Sequence, residues 1–123
     1  MQTMELVIDD KTYQFKAGIG FMTQANKTQA VVNEGIRVEV GLQFMIGNIM
    51  EGDVLALRDA LVMMAEGSPK ATVQIINSYI EDESTDIDAL FEQVLDFFEK
   101  SNCTKKTVQK LRDVKAKQKA LQS

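Results

Sequence analysis

The sequence predicts an α+β fold, predominantly α, with an N-terminal β-hairpin followed by a bundle of about five to six short helices. Two observations carry this reading. Apolar and polar residues alternate over residues 4–16, the period of half-buried strands, whereas from Gly41 onward apolar residues recur every three or four positions, the period of amphipathic helices. The chain has 123 residues, enough for a core without covalent staples. No internal repeat or inter-domain linker divides it. One globular domain over residues 1–114 is therefore expected, followed by a basic tail at 115–123 that should fray.

The first hairpin is read from "MELVID" (4–9) and "TYQFK" (12–16), with Asp9-Asp10-Lys11 between them and Tyr13 and Phe15 on one face. A lone hairpin is marginal, so it must pack on other elements. "AGIGFMTQANK" (17–27) reads as a turn and a short helix carrying Phe21, Met22 and Ala25. Residues 28–40, with Val31-Val32, Asn33-Glu34-Gly35 and then Ile36, Val38 and Val40, fit either a second hairpin or an ordered loop. Leu42, Met45, Ile46, Ile49 and Met50 form one helical stripe, which Glu51-Gly52 ends. Asp53 is the expected N-cap of the next helix, running to about Glu66 with Leu57, Leu61 and Met64 inward and Gly67 as its C-terminal cap. Ser68-Pro69 is expected to open a helix carrying Val73, Ile76, Tyr79 and Ile80. Thr85 and Asp88 are read as a capping box for a helix with the stripe Ile87, Leu90, Phe91, Val94, Leu95 and Phe98. A last helix begins after Thr104, with only Val108, Leu111 and Val114 as a thin apolar line.

Composition narrows function. There is no histidine, which removes the commonest general base and metal ligand. A single cysteine excludes an internal disulfide and fits a reducing compartment. The net charge of −4 disfavours nucleic acid as a bulk partner. No apolar run approaches the length of a membrane span, and the start lacks the pattern of a signal peptide, so a cytoplasmic protein is expected.

Three motifs invite chemistry, and each has a plainer reading. "GIGFMT" (18–23) follows a strand and opens a helix, as a dinucleotide loop does. Thr23 replaces the third glycine, and the two glycines are read as easing a sharp turn out of the hairpin. Asp82, Ser84, Asp86 and Asp88 have the alternate spacing of a calcium loop. Ile87 and Gln93 stand where that loop needs glycine and a bidentate glutamate, so the acids are read as caps and first-turn charges. Cys103 has neighbouring Lys105 and Lys106 but no base to activate it, and is read as a small residue in a helix–helix joint. No catalytic, cofactor or metal residue is expected.

The strongest feature is a charge split. Residues 81–99 hold eight acids and no base, and residues 100–119 hold eight bases and one acid, Asp113. An antiparallel pairing of the last two helices would bring these charges together. Alternatively the basic helix, through Lys105, Lys106 and Lys110, reaches a partner. Phe97 lies beside the stripe of its helix and, with Leu90 and Val94, widens the apolar face. A helix buried on two sides or a partner contact would each explain it. Met45, Met50 and Met63 supply adaptable apolar surface. Self-association through a wide apolar face is a further expectation. A small helical regulatory or nucleic-acid-binding adaptor, using the basic last helix, is the alternative function.

Three stretches carry a family resemblance. "FEQVLDFFEKSNCTKKTVQKL" (91–111) resembles the C-terminal part of the tail assembly chaperones of long-tailed phages and prophages of Gram-positive bacteria, in which an acidic amphipathic helix, "K-S-N-x-T-K" and a basic helix follow one another. "MELVIDDKTYQFKAGIGFM" (4–22) is similar to that family's hairpin and "G-I-G-F" turn, and "GLQFMIGNIMEGD" (41–53) to its central helix. Residues 28–40 match poorly, and Cys103 stands where alanine is more usual. The resemblance implies a non-enzymatic chaperone in the host cytoplasm, absent from the finished virion. It would bind the tape-measure protein and keep it soluble while tail-tube protein polymerises around it. It further implies a longer, frameshifted form of the same protein as a partner.

Overall fold

A computed structural model describes residues 2–122, so the first residue of the expected domain and the last of the expected tail lie outside the description. β1 (Met4–Ile8) and β2 (Lys11–Phe15) pair antiparallel, with Met4 opposite Phe15 and Ile8 opposite Lys11. The two turn residues, Asp9 and Asp10, both have positive φ (50° and 65°), the two-residue geometry whose twist matches that of the strands it joins. Register then places Met4, Leu6, Ile8, Tyr13 and Phe15 on one buried face, leaving Glu5, Thr12 and Gln14 in solvent.

A third strand, not expected from the sequence, completes this sheet. β5 (Ala65–Glu66) pairs with the other edge of β2, Ala65 opposite Phe15, giving the order β1-β2-β5. The amide of Lys16 donates to the Met64 carbonyl at 2.9 Å. These bonds draw the chain away from helical geometry at Met64, two residues before the expected end at Glu66. Gly67, at φ +85°, turns the chain out of β5 and caps no helix. The expected helix start at Ser68-Pro69 is corrected too: these residues, joined by a cis peptide bond, belong to a connection. The helix begins at Val73, where the Thr72 hydroxyl accepts from the Ile75 amide at 3.3 Å.

α1 (Ile19–Asn26) buries Phe21 and Ala25. The alternatives at residues 28–40 resolve to a second hairpin. β3 (Ala30–Asn33) and β4 (Ile36–Glu39) form a separate two-stranded sheet around Glu34-Gly35, both at positive φ. α2 (Gly41–Met50) buries Leu42, Met45, Ile46 and Ile49. Its first turn borrows a cap from α1, the Asn26 side-chain oxygen accepting from the Leu42 amide at 3.1 Å. Gly41 is buried at this crossing, where an added methyl would fall inside the van der Waals radius of the Ala25 carbonyl oxygen.

α3 (Val54–Met64) is capped by Asp53 as expected, its carboxylate accepting from the Leu55 and Ala56 amides. α4 (Val73–Glu81) leads to α5 (Ile87–Lys100). The cap of α5 is Asp86, which accepts from the Ala89 amide at 3.1 Å, so the capping box expected at Thr85 and Asp88 is displaced by one residue. A carboxylate is a charge-assisted acceptor and also complements the helix dipole. α6 (Lys105–Gln122) closes the chain as a continuous helix.

The fold is thus α+β and predominantly α. The inner face of the first sheet meets α1, α2, α3 and α5 in one core that holds Phe15, Ile46, Ile49, Leu57, Leu61, Met64, Val94 and Phe98 essentially free of solvent. The rings of Phe21 and Phe98 stack there, 5.8 Å between centroids and 13° from parallel.

Candidate functional site

α5 carries more apolar surface than the core consumes. Leu90, Val94, Phe97 and Phe98 turn inward. Ile87, Phe91 and Leu95 form a second row at i, i+4 and i+8, each half-buried. Opposite this row lie Ile49 and Met50 at the end of α2, Gly52, and Val54 at the start of α3. Together they enclose an open cleft of about 560 Å³. Asp88 and Glu92 stand exposed on its rim. Neither enters an ion pair among the described residues.

The charge split is partly used within the molecule. α5 and α6 pack together, and the Arg112 guanidinium donates to Glu99 at 2.7 Å. Lys115 pairs with Glu51 at the end of α2. Lys100 reaches back to Asp96 at 2.9 Å, and that hydrogen bond and charge raise the lysine pKa above its ordinary value. Lys105, Lys106 and Lys110 make no ion pair among the described residues. Lys106 and Lys110 are exposed and Lys105 is half-buried.

The structure separates the residues expected to meet a partner. Phe97, 6% exposed, and Met45, 7% exposed, belong to the core, and as folded they offer a partner no surface. Phe97 sits on a helix packed on two sides, α5 meeting both α2 and α6. Met50 lies in the cleft. Met63 is half-buried and lines no part of the cleft. Ile87, Phe91 and Leu95, which line the cleft, were not singled out from the sequence. Their i, i+4, i+8 spacing was the available signal.

The chain's other motifs serve the fold. In the α5–α6 joint the Ser101 hydroxyl donates to the Phe97 carbonyl at 2.7 Å, and the Thr104 hydroxyl donates to the Phe98 carbonyl at 2.6 Å. Thr104 immediately precedes α6, as expected, and its hydroxyl is directed back to α5. Cys103 sits half-buried in that joint. The Asp82 carboxylate accepts from the Ser84 amide at 2.9 Å and hydroxyl at 2.7 Å, bonds that lower its pKa, the amide contributing most. Gly18 and Gly20 are not in the left-handed region, so the turn into α1 does not require them as glycines. α1 leads to a strand that, among the described residues, pairs antiparallel only with β4, and no parallel β-α-β unit arises among them. Among the described residues, no group of three His, Cys, Asp or Glu side chains could hold a metal ion. No helix among them is long and apolar enough to cross a membrane.

The cleft thus has an open floor of thioether, aromatic and aliphatic groups under an acidic rim. The chain belongs to the phage tail assembly chaperone protein (TAC) family, whose model matches residues 5–112, from β1 into α6. Its class is therefore that of assembly factors acting with phage tail proteins. No curated protein and no solved structure shows a significant match to it.

Proposed function

We propose that the protein is a non-enzymatic chaperone that binds the tape-measure protein of a long-tailed phage or prophage of a Gram-positive host. It keeps that protein soluble in the host cytoplasm while tail-tube subunits assemble around it, and it leaves before the virion is complete. The family match over residues 5–112 is the observation that carries this reading. The cleft supports it. A tape-measure helix would lay an apolar stripe against Met50, Ile87, Phe91 and Leu95, with its flanking lysines and arginines facing Asp88 and Glu92. Met50, an adaptable thioether on the floor of the cleft, suits many non-identical helical segments of one long client. Lys106 and Lys110 present a second, basic surface for acidic segments of the client or of a longer, frameshifted form of the same protein.

The test is deletion of the gene in a phage or prophage, with the tape-measure protein followed by fractionation and the particles by electron microscopy. Precipitation of the tape-measure protein and loss of tails are expected, together with its copurification with the wild-type chain. Normal tails around a soluble tape-measure protein in the deletion strain would overturn the proposal.

A further inference from the structure

The second hairpin stands apart from the core. Val31, Val32, Ile36 and Val38 are all exposed, between 43% and 74%. Among the described residues β3 and β4 pair only with each other, so each keeps one open edge. An isolated two-stranded sheet is marginal in water, and an open edge is a template for another strand. Register puts Val31, Ile36 and Val38 on one face and Val32, Arg37 and Glu39 on the other.

The free edge of β4 has a definite pattern. The Val40 amide donates to the Gln29 carbonyl. By the alternation of an antiparallel ladder, Ile36 and Val38 also bond toward β3, and the backbone of Arg37 and Glu39 points outward. The sequence from Ile36 to Val40 reads I-R-V-E-V. Laid antiparallel on a copy of itself about Val38, it sets Arg37 opposite the partner's Glu39, Val38 opposite its own counterpart, and Ile36 opposite the partner's Val40. That register joins the outward backbone groups and pairs opposite charges twice. The neighbouring registers that also join those groups set Arg37 against Arg37 or Glu39 against Glu39, which repel.

We infer that β4 is the interface of a two-fold dimer, in which two hairpins join edge to edge into a four-stranded antiparallel sheet. The two copies use the same patch, as a closed two-fold contact requires. Within one chain Arg37 reaches Glu39 at only 3.4 Å, both side chains exposed, a loose pair that exchanges readily for cross-strand partners. This inference stands independently of the identity of the client.

Sedimentation equilibrium of the full chain tests it. A concentration-dependent dimer is expected. Arg37→Glu alone and Glu39→Arg alone each weaken association about tenfold or more, since two attractive pairs become repulsive. The two substitutions together restore it. In a Cys103→Ala background, Val38→Cys should form an intermolecular disulfide on mild oxidation, because directly opposed residues in such a ladder lie within disulfide reach. Val32→Cys, on the opposite face of β3, should not. A monomer at all concentrations, a dimer indifferent to the charge changes, or equal cross-linking through Val32 would each overturn the inference. A hairpin that serves only to bind a client strand would give the first of these results.

Discussion

The hydroxyl of Thr104, fully buried, donates to the carbonyl oxygen of Phe98 across the joint between α5 and α6 at 2.6 Å. The carbonyl belongs to the last turn of α5, where the helix itself supplies no partner. Thr104→Val keeps the shape and removes the donor. It should cost roughly 1–3 kcal/mol in urea unfolding, the penalty of leaving a buried acceptor unmade. Thr104→Ser, which retains the hydroxyl, should lose less. Equal stability of Thr104→Val and wild type would mean that the bond contributes nothing.

Two phenylalanines of α5 should behave in opposite ways. Phe97→Ala empties a core position and is expected to destabilise by about 3–5 kcal/mol. Phe91→Glu places a charge on the half-exposed floor of the cleft. Its main effect should be at least a tenfold loss of affinity for tape-measure segments, with the fold retained by circular dichroism. Pull-down and thermal melting on the same two variants check both. A Phe97→Ala variant that is stable yet fails to bind would reverse the roles assigned here.

Gly41→Ala should destabilise although alanine is ordinarily the better helix former. The new methyl has no room against the Ala25 carbonyl, which already accepts from the Thr28 hydroxyl at 2.7 Å. α1 and α2 must separate, at a cost of roughly 1–3 kcal/mol for overpacking. A raised melting temperature would refute the close crossing.

Asp82 provides a test by titration. Its folded pKa is depressed by the Ser84 amide first and the Ser84 hydroxyl second. The unfolded chain therefore takes up this proton more readily. The contribution to stability is complete at neutral pH and disappears as pH falls below the ordinary aspartate range, through the folded pKa. Ser84→Ala should move the Asp82 midpoint part of the way up, read by carboxyl NMR chemical shifts. The amide bond, which the substitution spares, should hold it short of the ordinary value.

Truncation after Val114 examines the proposal that residues 1–114 form the folding unit. Beyond that point Lys115–Glu51 is the ion pair recorded among the described residues, and it is substantially exposed. Such pairs contribute about 0–1 kcal/mol. The truncated chain should melt within a few degrees of the full one, and a collapse of the melting transition would show that the end of α6 belongs to the unit.

The helices were legible because their apolar residues repeat. α2 carries five stripe residues, and four of them are buried while Met50 is left to the cleft. α5 was legible as a helix, but its orientation was not. Leu90, Val94, Phe97 and Phe98 compete with Ile87, Phe91 and Leu95 for the inward face, and only contact with α2 and α6 decides between them. The cleft was invisible for the same reason, since its two walls, residues 49–54 and 87–95, are far apart in the chain and neither is unusual alone. At the second hairpin, Val31 and Val32 are adjacent and both exposed, so no alternation distinguished strand from loop. β5 has two residues, too few to show any period, and it follows a helix whose pattern continues into it.

That short strand has a consequence for synthesis. Phe15 finds Ala65 about fifty residues later in the chain, roughly three to ten seconds of translation at bacterial-type rates. Throughout that interval the edge of β2 beside Tyr13 and Phe15 has no strand to pair with. Contacts this distant in sequence form late. A ribosome stalled before Ala65 would therefore hold a chain that is itself prone to aggregate. By this geometry, the protein passes at birth through the kind of exposed state from which it is proposed to protect its client.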